Sequence, residues 1–160
     1  MSHSVLLDTS FFIRLLNPEC DLHENAKGYF KYFLDKDIAM KVSTISIAEY
    51  CVRGKIDELP LRNLQIVPFN IDHASKAGEF ADIVFKSVKE KEIKFDQRAI
   101  IPNDTKIFAQ ADLDPSVIQF VTSDSSCKRI YDIIKDKVPA RFEIIDIHTT
   151  FDSTFGILGI

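Results

Sequence analysis

Ile118-Gln119-Phe120-Val121-Thr122-Ser123-Asp124 is a short, mostly apolar run that closes on two hydroxyls and an acid. A run of this length without polar alternation fits a strand buried on both faces, the habit of parallel sheets. The reading places a strand over Val117–Thr122 and a helix over Asp124–Lys135. The same pattern recurs. Val5-Leu6-Leu7 leads to Asp8, and Ile100-Ile101-Pro102-Asn103 leads to Asp104. A fourth acid, Glu49, ends Ser43-Thr44-Ile45-Ser46-Ile47-Ala48-Glu49. If the runs before Asp8, Asp104 and Asp124 are neighbouring parallel strands, their acids meet at one edge of one sheet.

Working outward, strands and helices alternate. Ser4–Leu7 is a strand, and the helix after it, from about Ser10 to Leu16, is stopped by Asn17-Pro18. Leu22–Asp35 is amphipathic. Ile38–Val42 and Leu64–Pro68 read as strands, with a helix over Ser43–Arg53 between them that ends near Gly54. Asp72–Lys91 is a long helix with Ala74, Ala77, Ala81 and Val84 at helical spacing. Asn103–Ala111 is helical, and Phe142–Ile147 is a last strand. The tail from Thr149 to Ile160 carries no clear pattern. Such alternation predicts an α/β fold, a three-layer α/β/α sandwich around a mostly parallel central sheet. In open sheets of this kind ligands bind beyond the carboxyl ends of the strands.

The chain has 160 residues, 46% hydrophobic and 28% charged, which points to one ordered globular domain. No stretch approaches the ~20 apolar residues of a membrane span, and the N-terminus does not read as a signal peptide. Cys20, Cys51 and Cys127 are odd in number and widely spaced, which fits reduced thiols in a cytoplasmic protein better than a disulfide framework or a zinc knuckle. A net charge of −4 counts against a general nucleic-acid coat. It does not count against a nuclease whose acids hold metal.

Carboxylates crowded at one sheet edge repel unless a cation lies between them. An all-oxygen acidic set suits Mg²⁺ or Mn²⁺ and phosphate-ester chemistry. Each acid also has a plainer explanation. Asp104 and Asp124 are placed to cap the helices that follow, and Ser46 with Glu49 matches a capping box. Asp8 is harder to explain locally, since a charge after three apolar residues is costly if buried and unpaired.

The remaining chemistry is sparse. His3, His23, His73 and His148 are scattered without metal-ligand spacing. Ser10 and Ser125 lack a nucleophile elbow, and five glycines make no phosphate loop. An aspartyl-phosphate phosphatase would want a second Asp two residues after Asp8, where Ser10 stands. A receiver domain would want an Asp after the third strand, where the chain reads Val67-Pro68-Phe69. Phe11, Phe12, Phe30, Phe33, Phe80 and Phe85 fall at helical spacings and read mainly as core.

Four segments together resemble the PIN domain family of metal-dependent ribonucleases. They are Val5-Leu6-Leu7-Asp8-Thr9-Ser10, Ser46-Ile47-Ala48-Glu49-Tyr50, Asn103-Asp104-Thr105-Lys106-Ile107-Phe108-Ala109-Gln110-Ala111, and Val121-Thr122-Ser123-Asp124. In order, they span nearly the whole chain. The last motif is shortened, reading Ser125-Ser126-Cys127 where many members carry a further acid, Asn or Phe. The stretch Glu92–Pro102 is longer than in the smallest members.

The resemblance implies a PIN-like nuclease domain over residues 1–150, with 151–160 as a C-terminal tail. It implies an endoribonuclease in which Asp8, Glu49, Asp104 and Asp124 hold Mg²⁺ or Mn²⁺ and metal-activated water cuts RNA. Thr9, Ser10, Thr122, Lys106, Lys128 and Arg129 are the candidate substrate contacts. It further implies the toxin of a toxin–antitoxin pair, with an antitoxin protein as partner. The alternative is a non-catalytic PIN-like module that binds RNA or protein. The resemblance, with the Phe-rich segment Tyr29–Leu34, also predicts a homodimer.

Overall fold

A computed structural model of the protein describes residues 3–91 and 100–157. Five strands form one sheet: β1 (Ser4–Leu7), β2 (Ala39–Ser43), β3 (Leu64–Val67), β4 (Val117–Thr122) and β5 (Glu143–Asp146). Their order is β3-β2-β1-β4-β5, and every pairing is parallel. Seven α-helices surround the sheet among the described residues: α1 (Thr9–Leu15), α2 (His23–Asp35), α3 (Thr44–Tyr50), α4 (Ile71–Glu90), α5 (Ile100–Leu113), α6 (Ser125–Lys137) and α7 (Phe151–Phe155).

The sandwich follows from strand alternation. Leu6 and Phe120 turn to one face, where they pack with Val84, Ile107, Phe108 and Ile130 from α4, α5 and α6. Val5, Leu7 and Val121 turn to the other, against Phe11, Phe12, Tyr29 and Phe33 of α1 and α2. Helix α3 serves both sides, with Ile45 on the first core and Ile47 and Tyr50 on the second.

The chain steps from β1 outward to β2 and β3, then crosses back through α4 and α5 to place β4 on the other side of β1. The carboxyl ends of β1 and β4 therefore form the topological switch point, where doubly wound sheets open a crevice. Asp8 and Asp124 flank that point.

Two sequence expectations change. The run before Asp104 is not a strand: Ile100 and Ile101 open α5, so Asp104 stands in the early turns of a helix rather than at a strand end. Pro102 permits this, because first-turn N–H groups have no intrahelical acceptor and a proline there loses no bond. Within the C-terminal segment, Phe151–Phe155 form α7 and pack onto the fold. Phe151 and Phe155 of α7 pack on α2, with the rings of Tyr32 and Phe155 stacked 4.4 Å apart at 12°. Tyr29 ties the segment down, its hydroxyl lying 2.6 Å from the Thr149 carbonyl and 2.5 Å from Thr154 Oγ1. Much of the aromatic face of Tyr29–Leu34, offered above as a dimer surface, is thus covered by the chain itself. The length of the connection before α5 falls largely on residues 92–99, outside the described residues.

Candidate metal centre

Asp8 follows β1 directly and is 6% exposed. Its Oδ2 accepts two hydroxyl hydrogen bonds, from Ser10 at 2.7 Å and Thr122 at 2.8 Å. Each donor is itself oriented by a backbone N–H: Ser123 N donates to Ser10 Oγ at 2.9 Å, and Asp124 N to Thr122 Oγ1 at 3.0 Å. A hydroxyl has one proton. With both protons committed to Asp8, the 3.1 Å approach of Ser10 Oγ to Thr122 Oγ1 is a contact rather than a third bond. Burial raises the Asp8 pKa, opposed by the two hydroxyls.

Glu49 enters from α3. The capping-box reading of Ser46 and Glu49 does not hold, because the cap of α3 is Ser43, whose Oγ accepts from Ile45 N at 2.9 Å. Glu49 Oε2 instead accepts from Thr9 Oγ1 at 2.6 Å, linking α3 to the first turn of α1. Burial raises its pKa, opposed by the Thr9 hydroxyl and, less strongly, by the neighbouring Lys106.

Asp124 does serve as a cap: its Oδ1 accepts from Ser126 N at 2.8 Å at the head of α6. Asp104 does not. Its Oδ2 is buried with no hydrogen-bond partner among the described residues. Burial first, then the charges of Asp8, Asp124 and Glu49, push its pKa up to about 8. The structure thus brings all four acids into mutual electrostatic reach around an unpartnered carboxylate oxygen.

Among the described residues, no three Asp, Glu, His or Cys side chains are gathered tightly enough to ligate one ion directly. That spacing suits a hydrated ion better than a closed cage. Mg²⁺ commonly keeps several waters and takes only one or two carboxylates from the protein. The orphaned Asp104 oxygen, in an all-oxygen acidic set, fits such an ion.

The proposed substrate contacts divide. Thr9, Ser10 and Thr122 are committed to the acids, so they orient carboxylates first. Lys106 lies near Glu49. Lys128 is engaged with Asp146, its Nζ 2.8 Å from Oδ2. Arg129 is exposed on α6.

Sequence reasoning missed four groups here. Ser46 and Ser123 are buried, and their hydroxyls have no partner among the described residues. Cys127 is buried within the electrostatic reach of Asp8, Asp104 and Asp124, and burial raises its pKa well above the usual thiol value. Asp146 pairs in register with Thr122, bringing a fifth acid to the same edge. Its place after Ile144-Ile145, an apolar run closing on an acid, was the available signal.

A cleft of about 630 Å³ opens beside Glu49, walled by Thr9, Ile13, Leu16, Tyr50, Val52 and Arg53. Ile13 and Val52 stand 48% and 79% exposed, so this mouth of the site is apolar.

These features define a PIN-like fold with its acids at the switch point. No protein-family model matches the chain, and neither does any curated protein sequence. Solved structures do. The fold is similar to that of a chain in VapBC2 from Rickettsia felis bound to a DNA fragment of its promoter (TM-score 0.58, 19% identity, 89% of this chain and 97% of that one). DNA-bound VapBC from Salmonella typhimurium is also similar (TM-score 0.54, 17% identity, 91% and 98%). So is Mycobacterium tuberculosis VapC20, a toxin that cleaves the sarcin-ricin loop (TM-score 0.55, 18% identity, 79% and 94%). At these identities the likeness establishes the fold.

Proposed function

We propose that the protein is a Mg²⁺- or Mn²⁺-dependent endoribonuclease and the toxin of a toxin–antitoxin pair. The observation that carries this reading is Asp104 Oδ2, buried without a hydrogen-bond partner among the described residues and close to three further acids. A carboxylate left so costs stability unless something positive arrives. Support for the biological setting comes from the VapBC complexes and the sarcin-ricin loop cleaving toxin VapC20, which are similar in fold.

Asp8, Glu49, Asp104 and Asp124 would hold the ion, directly or through water. When bound, a divalent cation supplies an activated water and offsets charge on the scissile phosphate. The chain's own residues set the geometry. Ser10 and Thr122 fix the Asp8 carboxylate, and Thr9 fixes Glu49. Lys106 brings positive charge to the rim of an otherwise acidic centre, where an RNA phosphate approaches. No side-chain nucleophile is needed. The apolar cleft beside Glu49 is the proposed seat of the antitoxin, with a cationic group of the partner facing the acids.

The test uses purified protein and structured RNA in Mn²⁺, beside Asp8→Asn and Asp104→Asn. Cleavage by the wild type that a chelator and both substitutions abolish supports the reading. Cleavage that persists in folded Asp8→Asn sinks it.

A further inference from the structure

Apart from the large apolar cleft, a smaller pocket lies between α4 and α5. It measures about 220 Å³ and is lined by Phe69, Ala77, Gly78, Pro102, Thr105 and Lys106, among others. Phe69 sits two residues past the end of β3, at the same carboxyl edge as the acids. It is anchored there: its N–H donates to Thr44 Oγ1 at 3.2 Å, and its ring rests 5.8 Å from that of His73. Gly78 is exposed and faces open space, since a Cβ built on it meets no described atom within 4 Å, so a larger side chain can be placed there.

We infer that this pocket receives one nucleobase of the RNA substrate, next to the scissile phosphate, with Phe69 as the stacking surface and Lys106 holding the adjoining backbone phosphate. The inference rests on the nuclease reading and adds a subsite to it.

Three observations select this occupant. The first is size, because the space falls below the range of drug-sized pockets and is too small for a helix about 10 Å across. It takes one flat ring system. The second is the lining, an aromatic ring with small apolar residues, which offers a π-face that every base can use. The third is charge. Lys106 joins the lining and also lies within electrostatic reach of Glu49. A ligand that fills the pocket and meets Lys106 therefore brings an anion to the border of the metal centre. Single-stranded RNA has this alternation of flat apolar base and phosphate, and sequence-reading proteins commonly capture splayed bases on aromatic side chains.

The test is fluorescence anisotropy on the full chain with a short labelled oligouridine, an oligoadenosine of equal length, and an abasic oligonucleotide that keeps the phosphates alone, all in Ca²⁺. Gly78→Leu fills the pocket from an exposed helical position and removes a helix-weakening glycine, so it folds. Phe69→Leu keeps apolar bulk and removes the ring. Wild type is expected to bind at least one base-bearing strand about tenfold tighter than the abasic one, the scale of a single base–aromatic stack. Both variants are expected to erase that difference while leaving abasic binding unchanged, and Lys106→Ala to weaken all three ligands. If Gly78→Leu and Phe69→Leu bind the base-bearing strands as the wild type does, the pocket is not a base site. Should the wild type cleave RNA in Mn²⁺ yet fail to distinguish base-bearing from abasic strands, the subsite falls and the nuclease reading stands. Wild type that neither binds nor cleaves RNA overturns both.

Discussion

Thr122 donates its hydroxyl to Asp8 Oδ2 across the β1–β4 pair at 2.8 Å, joining residues 114 apart in sequence. Thr122 Oγ1 in turn accepts the N–H of Asp124 at 3.0 Å. One hydroxyl therefore orients one acid and fixes the backbone of another. Thr122→Val keeps the shape and removes both bonds. Its expected cost is about 2 kcal/mol, since hydrogen bonds to charged groups contribute more than neutral ones and the Asp8 carboxylate stays buried. Urea unfolding at neutral pH measures it. A loss below a few tenths of a kcal/mol would mean that Ser10 alone satisfies Asp8.

Asp104 sets the pH dependence of the metal-free protein. Its folded pKa is raised, so the folded state binds this proton more tightly than the unfolded chain does. Its favourable contribution is complete below the unfolded value near 3.8 and is lost as pH rises through about 8. Asp8 and Glu49, also raised, act in the same direction. Without divalent ions, stability should therefore fall between about pH 4 and pH 8. Asp104→Asn should flatten that decline and stabilise the metal-free protein by on the order of 2 kcal/mol at pH 8. Unfolding midpoints across pH in a chelator decide it. A variant less stable than wild type at pH 8 would show that Asp104 is not held against repulsion.

The parts of this fold that obey a local rule were legible in the sequence. β4 stands at the bounds its apolar run predicts, and most helices begin and end within a residue or two of their punctuation. Ile100-Ile101 misled because a short apolar pair looks alike at the end of a strand and at the head of a buried helix, and Pro102 is tolerated in the latter. The order of the acids was legible, but what holds each one was not. Glu49 looked like a cap because Ser46 stands three residues before it. Its actual partner, Thr9, is 40 residues away and is supplied by the packing of α1 on α3.

Helix α7 was illegible for a related reason. Thr150 and Gly156 punctuate it, but five residues are too few to show a helical period, and it packs on the α2 aromatic face it covers. Tyr32 and Phe155 stack, while Tyr29 and Phe33 each meet Phe155 edge-on. Phe155→Ala should cost about 2 kcal/mol, less than a fully buried phenylalanine because the ring is partly exposed. It should also uncover Tyr32, so a concentration-dependent mass in light scattering is expected of the variant beyond that of the wild type. An unchanged melting temperature would mean that α7 contributes nothing to the fold.

Metal binding should release protons. Asp104 carries its proton over much of the range below about pH 8, and a cation can take its place only when that proton leaves. Asp8 and Glu49, raised by burial, add to the effect. Mn²⁺ affinity should therefore climb between pH 6 and pH 8.5, as the protonated acids give way. Calorimetry in two buffers of different ionisation enthalpy counts the protons. The wild type should release at least part of one proton per ion at pH 7, and Asp104→Asn should release fewer with affinity reduced about tenfold or more, since losing even a group that only supports a ligand costs about that much. The pH-stability profile should change in step. Saturating Mn²⁺ neutralises the repulsion that erodes stability toward pH 8, so the decline predicted for the metal-free protein should shrink or reverse. Binding without proton release, at an affinity independent of pH, would place the ion elsewhere on the molecule and return the four acids to separate structural roles.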